Sequence, residues 1–263
     1  MSKKNNFYDI KLPYFLKPKK NFRLVRLGKN QDGGYLIDTN SIKNTKTLLS
    51  LGVGDDWSFE EDFRKKNNKI KILCYDDTTN LYFIIRLFIK KVIFILNYNL
   101  KEAFFSFINI FKYIFFFREV KIYKKRITYR DLLIITKNLK EPIFIKIDIE
   151  GSEYKILDDI LKIKKKLSGL IIEFHNIDLF MDKIKEFVSK IDLELTHIHA
   201  NNGSLTINEQ SIIEVTFSKY PLLCEGKLIF PNNKDQKNFE QFPEIRINFA
   251  KEEYYQKYSK FLN

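Results

Sequence analysis

The chain has 263 residues, with 46 Lys or Arg against 33 Asp or Glu, a formal charge of +13. Two cysteines, Cys74 and Cys224, exclude a disulfide framework and fit a reducing compartment. With 44% hydrophobic and 15% aromatic residues against only 9 Gly and 6 Pro, the composition excludes a disordered chain, and the length suits one large domain, 1–263.

The first six residues are polar and lead into no apolar core with a cleavage site, so no secretory signal is expected. Residues 1–45 read as an N-terminal cap segment. From residue 46 strands and helices alternate. A strand is predicted over 47–51, ending in Gly52-Val53-Gly54, then a helix over 58–66 and a strand over 70–75 that ends at Asp76-Asp77. The stretch 81–118 is rich in Phe and Ile, but Arg86, Lys90, Lys91, Lys101, Glu102 and Lys112 interrupt it. A membrane span needs about 20 mostly apolar residues, so this stretch is predicted to be an inserted helical hairpin turning near 97–99. A peripheral membrane contact is its alternative use.

Beyond it come a strand over 120–127, a helix over 130–137 capped by Thr128, and a strand over 142–147. Ser152 is placed to cap a helix running to about Lys166. A strand over 170–175, a helix over 179–190, a strand over 193–200, a turn at Asn201-Asn202-Gly203 and a strand over 212–219 complete the pattern, with 221–263 as a C-terminal extension. The order implies a mainly parallel sheet covered on both faces. Ligands of such sheets bind outside the carboxyl ends of the strands. Gly52, Gly54, Asp76, Asp148, Glu173, His175 and His199 are therefore expected along one rim.

Glycines after a first strand let a ligand approach the backbone, and an acid ending the second strand can accept from both ribose hydroxyls. Gly52, Gly54 and Asp76 have this adenosine-binding layout, with an ordinary tight turn as the plainer reading. The third glycine of a dinucleotide fingerprint is missing, and Trp57 is too bulky for a pyrophosphate at the helix start. S-adenosylmethionine, a sulfonium without pyrophosphate, suits an acidic turn better. Upstream, Asp32-Gly33-Gly34-Tyr35 is a turn signal, and Arg26 could pair with the carboxylate of a methionine moiety.

The three histidines are His175, His197 and His199. Strand alternation points His197 and His199 the same way. Asp148, Glu173 and His175 end neighbouring strands and could hold a divalent cation. In Lys146-Ile147-Asp148-Ile149-Glu150-Gly151-Ser152-Glu153, Glu153 has a ready explanation in the helix dipole, whereas Asp148 needs a partner. The positive charge consists of 38 Lys and 8 Arg. Lys, Ile, Asn, Phe and Tyr all have AT-rich codons, and Arg, the better residue for bidentate phosphate and base contacts, is scarce. No nucleic-acid partner is expected.

The motifs Asp32-Gly33-Gly34-Tyr35, Leu51-Gly52-Val53-Gly54-Asp55, Ile145 to Glu153 and Ile172-Glu173-Phe174-His175 resemble the FkbM-type S-adenosylmethionine-dependent methyltransferases over roughly 23–220. The resemblance implies a Rossmann-like, seven-stranded class I methyltransferase fold of order 3-2-1-4-5-7-6, its last strand antiparallel. It implies O-methylation of a sugar hydroxyl, on a nucleotide-linked sugar or a capsular or surface glycan, such as a heptose. Arg26, Gly33, Gly34, Tyr35, Gly52, Gly54, Asp76 and Asp148 would face the cofactor. A divalent cation (Mg, Mn or Fe) would sit on Asp148, Glu173 and His175, and Asp148, His199 and Glu150 are the catalytic candidates. The expected location is the cytoplasm, with peripheral contact at the inner membrane through 81–118. A nucleic-acid methyltransferase is the competing enzyme, disfavoured by the lack of an Asn/Asp-Pro-Pro-Tyr/Phe motif. A non-catalytic, membrane-peripheral protein that retains the fold is the other alternative.

Overall fold

The computed structural model describes residues 7–78, 114–203 and 212–251, and the single positions 89, 93 and 108 between the first two ranges. In chain order the elements are β1 (Phe7–Pro13), β2 (Leu24–Leu27), β3 (Tyr35–Asp38), α1 (Thr39–Asn44), β4 (Thr47–Leu51), α2 (Ser58–Lys66), β5 (Lys71–Tyr75), β6 (Lys121–Tyr123), α3 (Asp131–Thr136), β7 (Ile143–Ile147), α4 (Leu157–Ile163), β8 (Leu167–Phe174), α5 (Ile177–Lys190), β9 (Glu194–Ala200), β10 (Ile213–Ser218) and β11 (Glu244–Ala250).

The central sheet has seven strands in the order β6-β5-β4-β7-β8-β10-β9. Counted from β4 as the first strand of the sheet, that is 3-2-1-4-5-7-6, the class I methyltransferase order. Strand β10 is antiparallel to both β8 and β9, and the other neighbouring pairs are parallel. Every residue of β4, β7 and β8 is buried, as strands made mainly of Leu, Ile and Phe require when helices cover both faces. Alternation then divides the core. Leu48, Phe144 and Ile171 pack with Phe59 and Phe63 of α2. Leu49, Ile145, Leu170 and Ile172 pack with Ile160 of α4 and with Ile184 and Phe187 of α5.

Around this sheet lie two ribbons. Strands β2 and β3 form an antiparallel hairpin. Strand β1 pairs in parallel with β11, Ile10 opposite Ile247 and Leu12 opposite Phe249. Four expectations are corrected. The third sheet strand is only Lys121–Tyr123, because the Lys125 amide turns back to the Tyr123 carbonyl at 2.9 Å. Ser152 makes no side-chain cap; a 3-10 turn over Glu153–Lys155 intervenes and α4 starts at Leu157. Before α3 the cap is reversed, since the Thr128 amide and hydroxyl both donate to Asp131 Oδ2. The fifth sheet strand starts three residues earlier than expected, at Leu167. The hairpin expected over 81–118 lies almost wholly outside the described residues, which include the single positions 89, 93 and 108 and its last helical stretch from 114. There Phe116 is buried and stacks on Trp57, ring centroids 6.4 Å apart. Among the described residues no helix is long and apolar enough to cross a membrane.

Candidate active site at the strand ends

The carboxyl ends of β4, β5 and β7 open into a cleft of about 710 Å³, within the range of small-molecule sites. Its floor is Gly52-Val53-Gly54, with Asp76, Asp77 and Thr78 on one side and Asp148, Ile149 and Glu150 on the other. Gly52 has φ +78, and a Cβ there would overlap the Asp148 carbonyl oxygen. The first and fourth strand ends can meet this closely only through a glycine.

Asp76 fixes the turn. Its Oδ2 accepts from the Val53 and Gly54 amides at 2.9 and 2.7 Å, and its Oδ1 accepts from the Thr78 amide and hydroxyl at 2.7 and 2.6 Å. A carboxylate offers about four acceptor directions, and all are used. The expected ribose acceptor is therefore the clamp of the glycine turn, and the half-exposed carboxylate that faces the cleft beside it is Asp77.

The second half of the site is acidic and buried. The Tyr35 hydroxyl lies 3.2 Å from Asp148 Oδ2 and 3.1 Å from Glu173 Oε2. Burial, reinforced by Asp148, Glu214 and Asp32, raises the Glu173 pKa well above the carboxylate range. His175 Nδ1 lies 3.3 Å from Glu153 Oε1, which also accepts the His175 amide at 2.7 Å. This leaves Nε2 toward Glu150 Oε2 at 3.4 Å and Glu173 Oε1 at 4.0 Å. Burial disfavours the His175 cation, but the Glu153 hydrogen bond and the charges of Glu153, Asp148 and Glu150 outweigh it and raise the pKa. Asp148, Glu173 and His175 each offer a donor atom within 4.8 Å of the others. Two oxygens and an imidazole whose other nitrogen is held by a carboxylate are a fitting donor set for a divalent cation.

The remaining expected residues divide. Gly33 and Glu150 line the cleft, and the Glu150 side chain is 86% exposed. Tyr35 lies beneath the cleft, on the acid pair. Gly34 is packed, since a Cβ would overlap the Lys29 carbonyl and press on the Arg26 guanidinium. Arg26 does not line the cleft: Nε donates to the Lys29 carbonyl at 3.0 Å and Nη2 to the Gln31 carbonyl at 2.9 Å, so its fork shapes the loop that carries Gly33. His197 and His199 point to the same side, and neither lines the cleft. His197 Nε2 is 2.9 Å from Asp235, and His199 sits between Glu214 at 3.3 Å and Glu244 at 3.4 Å. The chain after β10 folds back over β9 and seals both rings, so His199 is not placed to take a proton from an acceptor.

Residues not anticipated are Lys146, Glu153 and the segment 238–241. Buried Lys146 donates to the Gly52 carbonyl at 2.9 Å, 4.0 Å from Glu60 and over the Tyr35 ring at 5.6 Å. Asn238, Phe239, Glu240 and Gln241 form the cleft wall opposite the strand ends. Asn202 sets that wall, with its side chain donating to the Phe239 carbonyl and accepting the Phe239 amide, both at 2.9 Å.

No family model matches the chain. Among curated proteins it is similar to orotidine 5′-phosphate decarboxylases of Campylobacter jejuni. The identity is 28% over 136 residues for one of subspecies jejuni, covering 48% of each chain, and 26% for one of subspecies doylei, covering 48% of this chain and 59% of that protein. The chain spans about half the length of the curated relatives it matches, and a likeness of that extent establishes no family. Among solved structures it is similar to the 23S rRNA methyltransferase ErmE, with TM-score 0.40 and 8% identity over 72% of this chain and 69% of that one. It is also similar to the fibrillarin pre-rRNA processing protein of Methanococcus jannaschii, with TM-score 0.38 and 11% identity over 71% and 70%. A precorrin-6y C5,15-methyltransferase of Geobacter metallireducens gives TM-score 0.36 and 12% identity over 69% and 85%. At these scores the functional reading rests on the site itself.

Proposed function

We propose that the chain is an S-adenosylmethionine-dependent O-methyltransferase that methylates a sugar hydroxyl, on a nucleotide-linked sugar or a surface glycan, with a divalent cation held by Asp148, Glu173 and His175. The observation that carries this reading is a cleft lined by the Gly52-Val53-Gly54 turn and by half-buried Asp148, behind which Glu173 and His175 lie buried and complete a donor set of two carboxylates and an imidazole. The class I strand order and the FkbM-like Lys146 to Glu153 motif support it.

S-adenosylmethionine supplies an electrophilic methyl group on a sulfonium. Asp77, Asp148 and Glu150 favour that positive charge in the cleft. A cation at the donor set would lower the pKa of an acceptor hydroxyl. Glu150, open to the cleft, is placed to take the hydroxyl proton. Lys29, Lys125 and Arg126 line the same cleft and favour an anionic acceptor such as a nucleotide-diphosphate sugar.

Isothermal titration of the whole chain with S-adenosylmethionine, followed by mass spectrometry of nucleotide sugars incubated with both, tests the reading. Binding, and a gain of one methyl that is lost in Glu150→Gln, is the expected result. No binding at millimolar ligand overturns it. Methyl transfer undiminished by chelation removes the cation from it.

A further inference from the structure

The cleft uses few of the lysines, and it occupies only one end of the sheet. Strand β10 finishes at Ser218, opposite Gly169 near the start of β8. The chain from Lys219 onward therefore leaves at the end of the parallel strands remote from the cleft. There Tyr220, Leu222 and Leu223 are 68%, 42% and 61% exposed, and Ile229 in the same loop is 51% exposed. The loop backbone is tied down. The Tyr220 carbonyl accepts from Asn40 Nδ2 at 2.8 Å, the Leu222 carbonyl from the Arg23 amide at 2.8 Å, and the Cys224 amide donates to the Asn21 carbonyl at 2.9 Å. The fold thus holds large apolar side chains outward in a fixed arrangement. Beside them, Lys43, Lys46 and Lys219 line a shallow pocket of about 380 Å³ together with Tyr220, and among the described residues no carboxylate lines it. The neighbouring Glu141 is already paired with Lys166 at 2.9 Å.

We propose that this end of the sheet docks on an anionic lipid bilayer. Tyr220, Leu222 and Leu223 enter the headgroup region, Lys43 and Lys46 meet the lipid phosphates, and the cleft faces away from the membrane toward water. Exposed apolar side chains with lysines beside them match such a surface in both chemistry and charge. A second copy of the chain fits poorly, because a two-fold contact here would set these lysines against their own images. Single-stranded nucleic acid also fits poorly, because branched aliphatic side chains offer no stacking face and, among the described residues, Tyr220 is the only aromatic ring lining the pocket.

Co-sedimentation of the full chain with vesicles of phosphatidylglycerol and phosphatidylethanolamine, against vesicles of phosphatidylcholine, tests this. Binding is expected on the anionic vesicles only, weakening as salt rises. The pair Lys43→Gln and Lys46→Gln should weaken it roughly thirtyfold, at about 1 kcal/mol for each lysine removed from the surface. The pair Leu222→Asp and Leu223→Asp should abolish it, with circular dichroism unchanged because both positions are exposed. No binding, or equal binding to both vesicle types, overturns the proposal. So does wild-type binding by either double variant, which would place the attachment elsewhere on the chain, 81–118 included. A dimer dissolved by the leucine pair makes the patch a contact between copies, and oligonucleotide binding lost only with the lysines makes it a nucleic-acid site. Either of these outcomes also overturns it.

Discussion

Tyr35 has one phenolic proton and two carboxylates within reach. With Asp148 and Glu173 both ionised, only one of its contacts can be a hydrogen bond. With Glu173 protonated, the acid donates to the phenol and the phenol to Asp148, and both contacts are satisfied. Burial and the charges of Asp148, Glu214 and Asp32 raise the Glu173 pKa against the opposing Tyr35 hydrogen bond, and so favour that protonated form. His175 is likewise shifted toward its protonated form. A cation at this site must displace protons from Glu173 and His175, so its affinity should rise with pH. Titration with Mn²⁺ in buffers of different ionisation enthalpy should show proton release on binding, and affinity should be weaker at pH 6 than at pH 8. Glu173→Gln should remove the metal dependence of activity, as well as most of the release. At Gly52 the expectation is harsher. A non-glycine residue at φ +78 costs of the order of 1–3 kcal/mol in backbone strain, and the Cβ overlap with Asp148 adds to it. Gly52→Ala should lower Tm and S-adenosylmethionine binding together, whereas Glu150→Gln should leave Tm unchanged.

Among the elements, β9 and the returning C-terminal segment are joined by charge. Burial opposes a charged His199, but Asp235, Glu214 and Glu244 outweigh it and raise its pKa well above the ordinary value. For a group whose folded pKa is raised, the stabilisation is complete below the unfolded value and is lost as pH rises through the folded one. The advantage of the wild type in Tm over His199→Gln should therefore be largest in mild acid and shrink in alkali. Asp235→Asn disrupts the buried contact between His197 Nε2 and Asp235, 2.9 Å apart, and should cost about 1–3 kcal/mol, measured by urea unfolding. These contacts mark a limit of reading the chain. The strands 47–51 and 143–147 are legible because their apolar runs need cover on both faces, and Asp148 is legible because three acids crowd one strand-to-helix turn. Asp76 has the same appearance in sequence whether it meets a ribose or the amides of its own turn. Two histidines at a strand end look catalytic until Asp235 and Glu244, far along the chain, are folded onto them.

For the whole molecule, the positive charge and the acids separate in space. Carboxylates gather inside the cleft and beneath it, while at the opposite end Lys43, Lys46 and Lys219 line a pocket that, among the described residues, has no carboxylate. The C-terminal segment matters at this scale too, since it supplies both β11 and the wall over 238–241. Removing residues 221–263 would expose Ile10 and Leu12 of β1 and take Ile245 and Ile247 from the core. At about 2 kcal/mol for each buried side chain, the loss rivals the whole stability of a typical domain. The truncated chain should lack a cooperative melting transition by calorimetry.

The pairing of β1 with β11 also orders events in time. Strand β1 is made well before β11 and must wait for it, because Ile10 finds its place beside Ile247. The central sheet can assemble while synthesis proceeds, but the wall that Asn202 fastens through Phe239 arrives only just before β11. Every partly made chain therefore carries an open trough in place of the cleft, and the capacity to enclose a ligand is gained in a single late step.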